Sequence, residues 1–170
     1  MANHGIALVT GAARRIGRVI ALSLARHGWD VAVHYRFSES EAMATAEDIR
    51  KLGRRSVALH CDLTDEEAVN RLLQRVEDSL GRPSCLVNNA SVFEHDSVTD
   101  FSAHSLDFHM RTNLTAPVLL SRALHTMTPE GSQSVVVNLL DQKLDNLNPS
   151  FLSYTLSTAA LNTATTLLAQ

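Results

Sequence analysis

Short apolar runs alternate five times with longer amphipathic segments, and this alternation narrows the possible folds more than any other feature of the chain. Strands are predicted at 6–9, 31–35, 56–61, 85–88 and 135–139. They are apolar on both sides, as strands must be when helices cover both faces of a sheet. Between them apolar residues recur at helical spacing. Ile16, Ile20 and Leu24, with Val19 beside them, mark one segment, and Val69, Leu72, Leu73 and Val76 mark another. Further helices are predicted at 41–52, at 105–124 with a kink at Pro117, and at 154–169. Gly28, Gly53 and Gly81 close three of the helices, and Thr64 with Glu67 has the spacing of a capping box. Strands alternating with helices pair in parallel through right-handed crossovers, which gives a doubly wound, three-layer α/β/α sheet of the Rossmann type. No internal repeat, low-complexity tract or linker breaks the pattern, so residues 1–170 are expected to form a single domain.

Bulk properties exclude several functions. Apolar residues make up 45% and charged residues 19% of the chain, which supports a buried core and argues against disorder. A net charge of -3 argues against a nucleic-acid partner held by bulk electrostatics. No apolar run approaches the roughly 20 residues that cross a bilayer. No signal-type segment precedes the first strand, so no membrane partner and a cytoplasmic location are expected. Cys61 and Cys85 lie in apolar strand segments without a CxxC pairing and read as buried free thiols. His104 and His109 are five apart and point to different helical faces, with no ligand set at zinc spacing, so no metal is expected. The chain has neither a G-x-S-x-G nucleophile elbow nor a G-K-[ST] phosphate loop.

The first strand runs straight into Thr10-Gly11-Ala12-Ala13-Arg14-Arg15-Ile16-Gly17, where a helix begins. In that position backbone N–H groups and the helix dipole face an anion, and Gly17 lets helix and sheet approach closely. The turn is therefore read as a dinucleotide pyrophosphate site. NAD-binding domains often place a carboxylate after the second strand to hold the ribose 2′-hydroxyl. Here that stretch reads His34-Tyr35-Arg36-Phe37-Ser38, with no acid. Arg36 and Ser38 are suited to a 2′-phosphate, and Arg14 adds positive charge, so NADP(H) is favoured over NAD(H). The competing reading of Arg36 is an ordinary solvated arginine.

Added to these residues are Asp62 after the third strand, Asn88-Asn89-Ala90 after the fourth, Asn113 in the long helix and Tyr154 at the last one. The ordered set resembles the short-chain dehydrogenase/reductase family over essentially the whole chain. The resemblance implies an NADP(H) site built from Thr10, Gly11, Arg14, Arg15, Ile16 and Gly17, with Tyr35, Arg36 and Ser38 after the second strand. Asp62, at the adenine, and Leu63 would complete it, together with Asn89, Ala90 and Ser91. Within the family the chain is similar to pteridine reductases and bacterial dihydromonapterin reductases. Asn89-Ala90-Ser91 replaces the commoner Asn-Ala-Gly, and Phe93 stands where those enzymes place a ring that sandwiches the pterin. Arg15 occupies the position of an arginine reaching toward substrate and cofactor phosphate. Asp141, thirteen residues before Tyr154, replaces the usual serine. Each also has a plainer reading: Phe93 packs a loop, Asp141 caps the turn after the fifth strand, and Ser91 is a small turn residue.

The resemblance implies catalysis by Tyr154, with Asp141 orienting substrate or relaying a proton and Asn113 supporting a water chain. In the family a lysine four residues after the tyrosine holds the nicotinamide ribose and lowers the phenol pKa. Here that position is Thr158, whose hydroxyl is short and uncharged. The expectation is an NADPH-dependent reductase of pterin or related carbonyl or imine substrates that turns over poorly, with Lys143 as a possible substitute cation. The alternative is a non-catalytic NADP(H)-binding protein with a structural or regulatory role. Family members continue past this point with further strands, so the sheet is expected to lack its C-terminal strands and to expose one edge. They also form dimers or tetramers, which implies a homo-oligomer. Ala116, Leu119, Leu120 and Leu161 then face either a partner or the sheet.

Overall fold

The computed structural model describes residues 4–169. Among these, strands β1 (Gly5–Val9), β2 (Trp29–Tyr35), β3 (Ser56–His60), β4 (Cys85–Asn88) and β5 (Val135–Asn138) form one sheet in the order β3-β2-β1-β4-β5. Every pairing is parallel, and β1 is flanked in register by β2 (Ala7 opposite Val31) and by β4 (Ala7 opposite Cys85). The connecting helices are α1 (Arg15–Arg26), α2 (Glu39–Lys51), α3 (Glu66–Leu80), α4 (Ala103–Met110), α5 (Ala116–Met127) and α6 (Leu152–Leu168).

Side chains of a strand alternate between the two faces of its sheet, and each face here has its own core. Ile6, Leu8, Ala32 and Leu86 pack against Leu72, Leu73 and Val76 of α3 and Leu120 and Leu124 of α5. Ala7, Val9, Val31, Val33 and Val87 pack on the other face against Ala21, Leu22 and Ala25 of α1 and Ala42, Ala46 and Ile49 of α2. The doubly wound, three-layer arrangement predicted from the alternation is what forms. The chain leaves β1 toward β2 on one side and returns as β4 on the other. A crevice therefore opens at the carboxyl ends of β1 and β4, where doubly wound sheets take their ligands. β5 is an edge strand, with Val135, Val136 and Val137 partly exposed. Ala116, Leu120 and Leu161 are buried inside the chain and Leu119 packs at the core margin, which decides for their inward reading. No helix among the described residues is long and apolar enough to cross a membrane.

Three local expectations change. Helix α3 is capped by Asp65, whose carboxylate accepts from Ala68 N–H at 3.1 Å, and not by Thr64. The Thr64 hydroxyl is taken up by Asp62 at 2.8 Å, so the cap falls one residue later. The long helix, expected to kink at Pro117, runs on through the proline. It widens into a π-helical turn over Arg111–Thr115, in which Ala116 N–H reaches back to Arg111 C=O. The wider turn absorbs the proline, which lies in the first turn of α5 where a missing N–H costs little. Helix α6 begins at Leu152, before the tyrosine, so Tyr154 sits within its first turn.

Candidate active site

Glycine is required twice in the turn between β1 and α1. Gly11 has φ +62°, and a Cβ there would lie 3.0 Å from the Ala90 Cα. A Cβ on Gly17 would lie 2.2 Å from the Gly11 carbonyl oxygen, closer than any real contact. Between them Arg15 has φ +51°, the left-handed region, and is the sole non-glycine residue among those described to do so. That conformation costs an ordinary side chain about 1–2 kcal/mol. Helix α1 starts without a side-chain cap and without an acid in its first turn. Helices α2 and α3 each carry two glutamates there. The first N–H groups of α1 therefore keep their capacity for an anion.

Thr10 and Asn89 hold this turn to the end of β4. Thr10 Oγ1 accepts from the Asn89 and Ala90 N–H groups, both at 3.0 Å, and Asn89 Nδ2 donates to the Thr10 carbonyl at 2.8 Å. A further residue escaped the sequence reading. His34 is buried in β2; its Nδ1 accepts from Gly11 N–H at 3.0 Å, so Nε2–H donates to the Cys61 carbonyl, also at 3.0 Å. Burial pushes its pKa down to about 4, which keeps the ring neutral and Nδ1 an acceptor. The one available signal was a histidine inside the otherwise apolar run Val31-Ala32-Val33.

A cleft of about 560 Å³ runs from this turn along the sheet ends. One end is lined by Gly11, Arg14, Arg15, Ile16 and Gly17 with Tyr35, Arg36, Phe37 and Ser38. The other is lined by Asn89, Ala90, Ser91, Phe93, Asp141 and Tyr154. Arg36 is not a free solvated arginine. Its Nε and Nη2 donate to Asp62 Oδ2 at 3.0 and 2.8 Å, and its guanidinium lies 4.5 Å from the Phe37 ring centre. Burial would raise the Asp62 pKa, but donors from Thr64 and the Arg36 charge outweigh it and hold the carboxyl below its ordinary value. Asp62 and Leu63 do not line the cleft: Asp62 faces Arg36, and Leu63 is buried in the core. Arg14 reaches Glu41 at 3.6 Å on the surface.

At the far end the Tyr154 hydroxyl donates to Asp141 Oδ2 at 2.8 Å. Asp141 Oδ1 accepts from Lys143 N–H at 2.8 Å, so this carboxylate both caps its turn and holds the phenol. Burial, then the Asp141 hydrogen bond and charge, push the Tyr154 pKa up to about 12. Thr158 is buried, its hydroxyl donates to the Tyr154 carbonyl at 2.9 Å, and it lies near enough to the phenol to lower its pKa slightly against these larger upward pushes. Phe93 stacks on Phe151 with centroids 4.4 Å apart and meets Tyr154 edge-on at 4.7 Å. Phe151, which sequence reasoning missed, also carries the Lys143 ammonium 4.3 Å from its ring centre. Asn113 bonds protein groups: Nδ2 donates to the Val92 carbonyl and to Ser157 Oγ, both at 3.0 Å.

The short chain dehydrogenase family model matches residues 5–170. The chain belongs to that family. Its fold superposes on FolM alternative dihydrofolate reductase 1 from Brucella canis, a structure complexed with NADP, with a TM-score of 0.94 and 40% identity. That match covers 98% of this chain and 67% of the other. A short chain dehydrogenase from Burkholderia cenocepacia in complex with NADP gives a TM-score of 0.91 at 34% identity, over 98% of this chain and 68% of that one. Among curated relatives, the short-chain dehydrogenase/reductase FrzI of Cladobotryum sp is 37% identical over 69% of this chain and 45% of its own length. The 3-oxoacyl-[acyl-carrier-protein] reductase FabG of Staphylococcus aureus is 38% identical over 64% of this chain and 44% of its own. This chain thus spans less than half the length of both curated relatives.

Proposed function

We propose that this short-chain dehydrogenase is an NADPH-dependent reductase of a pterin or a related ring with a C=O or C=N bond, working slowly because Thr158 stands in the lysine position. The observation that carries the reading is the Tyr154–Asp141 hydrogen bond at one end of a cleft whose other end is an uncapped, arginine-bearing helix N-terminus. The residues present fit the cofactor. The α1 N–H groups suit a pyrophosphate, and Gly17 could not carry a side chain without striking the Gly11 carbonyl. Arg36 spends Nε and one Nη2 proton on Asp62, leaving donors for a 2′-phosphate beside Ser38.

When bound, NADPH supplies the hydride. The chain's own contribution is to position the acceptor ring and deliver a proton. Phe93 offers a flat apolar surface beside Tyr154, which suits a planar heterocycle. In the free protein Tyr154 donates its one hydroxyl proton to Asp141, and to protonate the substrate nitrogen or oxygen it turns that proton from the carboxylate to the substrate. A phenol pushed up to about 12 stays protonated at neutral pH, as a donor must, but it is a weak acid and gives its proton slowly.

The test is loss of NADPH absorbance with a dihydropterin, with Tyr154→Phe as the comparison. Slow turnover abolished by the substitution supports the proposal; turnover that survives it removes Tyr154 from the reaction. A second reading, a non-catalytic NADP(H)-binding protein, is favoured by the lack of a charge at position 158, where the short Thr158 hydroxyl bonds the Tyr154 carbonyl. NADPH binding without any turnover would select it.

A further inference from the structure

The loop after β4 carries Phe93, yet it belongs to no regular element between Asn89 and His95. Its position is set from the long helix beneath it. Ser105, His109 and Asn113 follow one another at four-residue spacing, which places them along one helical face. Each takes hold of an alternate residue of the loop, in reverse order. Asn113 Oδ1 accepts from Val92 N–H at 2.8 Å while its Nδ2 donates to the Val92 carbonyl. His109 Nε2 accepts from Glu94 N–H at 3.3 Å. Ser105 Oγ donates to Asp96 Oδ2 at 3.2 Å. Residues 92, 94 and 96 thus face the helix, and the intervening Phe93 and His95 present their rings to Phe151.

His109 is the middle rung and is completely buried. Its Nδ1 lies 2.8 Å from the Ser105 carbonyl, which can only accept, so Nδ1–H donates there and the Nε2 lone pair is left for the loop. The third rung continues into the helix that bears the phenol. Asp96, itself buried, accepts from Ser153 N–H at 3.0 Å through Oδ1, capping α6 one residue before Tyr154. Helix α6 has no side-chain cap of its own, so the loop supplies it. The stacking ring and the proton donor are referenced to the same stripe.

We propose that His109 is a positioning residue for substrate: with Ser105 and Asn113 it fixes the loop that sets the Phe93 ring against Tyr154. Removing its acceptor frees Glu94 and lets the neighbouring ring drift, while the cofactor turn at the other end of the cleft is untouched. The inference rests on the pterin reading only for the identity of the ligand.

The test compares His109→Leu, which removes both ring nitrogens, with His109→Gln, whose amide oxygen reaches the position of Nε2. The chain has two tyrosines, so ¹³C-tyrosine labelling gives two resonances, and the one lost in Tyr154→Phe is Tyr154. In His109→Leu that resonance is expected to move as the edge-on Phe93 ring leaves it. Biopterin binding in the presence of NADP⁺ should weaken roughly five- to tenfold, the worth of about one hydrogen bond. NADPH binding should stay within about twofold, and His109→Gln should restore both the resonance and the biopterin affinity. A folded His109→Leu protein with an unmoved resonance and unchanged biopterin affinity overturns the proposal. Equal losses of NADPH and biopterin binding, unrescued by glutamine, overturn it too, because they mark a merely structural role. If His109→Leu does not fold, Ser105→Ala replaces it and must move the same resonance in the same direction. Should the native protein bind no biopterin while the resonance still moves, the pterin reading fails and the positioning role stands.

Discussion

Thr158→Lys is the perturbation with the largest predicted effect on chemistry. Among the described residues no cation is hydrogen-bonded to the Tyr154 hydroxyl; it donates to the Asp141 carboxylate, and the phenol is pushed up to about 12. A lysine at 158 lies one helical turn further along α6, on the face that carries the tyrosine. At about 4.5 Å and an effective dielectric near 20, its charge would favour the phenolate by roughly 3–4 kcal/mol. That corresponds to a gain in acidity of between two and three powers of ten. Burial of the new ammonium offsets part of this, although Asp141 is at hand to pair with it. NADPH-linked reduction of a dihydropterin should therefore rise at least about tenfold at neutral pH. The pH profile supplies an independent check. A general acid works while protonated, so its rate falls as pH rises through its pKa. The alkaline limb, set near 12 in the native chain, should move to lower pH in the variant. A variant that folds, binds NADPH and gains neither turnover nor an earlier alkaline limb refutes the reasoning.

Three further outcomes follow from the geometry. Gly17→Ala would place its Cβ 2.2 Å from a backbone oxygen that cannot move without breaking the turn. It should lower stability by about 2 kcal/mol or more in thermal unfolding and abolish NADPH binding; ordinary NADPH affinity would disprove the turn's role. Arg36→Ala should weaken NADPH roughly tenfold by titration and leave NADH nearly unchanged, and a parallel loss of both would assign Arg36 to the fold. Asp30→Ala removes a buried carboxylate held at 2.8 Å by both Arg54 and Arg55, and should cost about 3 kcal/mol in urea unfolding near neutral pH. Burial raises the Asp30 pKa, but the Arg55 hydrogen bonds and the Arg54 charge outweigh it and leave the pKa below its ordinary value. Its stabilisation is then complete above that ordinary value and is lost as pH falls through the lowered one. The gap between variant and native protein should shrink as pH falls below the ordinary carboxylate range.

The layer arrangement was legible because it depends on local periodicity: Ile6 and Leu8 serve one face, Ala7 and Val9 the other, and both sets are apolar. What depends on partners distant in sequence was not. Thr64 and Asp65 are both competent caps, and Asp62 decides between them by taking the Thr64 hydroxyl while it also binds Arg36. Pro117 signals a disturbed helix, but whether the helix breaks or widens depends on how the turn before it packs. Phe93, Asp141 and Tyr154 were readable as candidates one by one, and the structure brings them to the same end of one cleft. Their connection to Phe151, and that of His34 to Gly11 and Cys61, could not be read, because no local pattern encodes a contact between residues this far apart in the chain. Arg15 is the opposite case. Its side chain was readable, but its left-handed backbone shows that an arginine is kept where glycine would be free of strain.

The central claim, that the cleft from the α1 N-terminus to Tyr154 is built for NADPH, is tested most directly by paired titration with NADPH and NADH at one ionic strength. The structure predicts NADPH binding at least about tenfold tighter than NADH, with the preference lost in Arg36→Ala. Equal affinity for the two, or no binding of either, contradicts it.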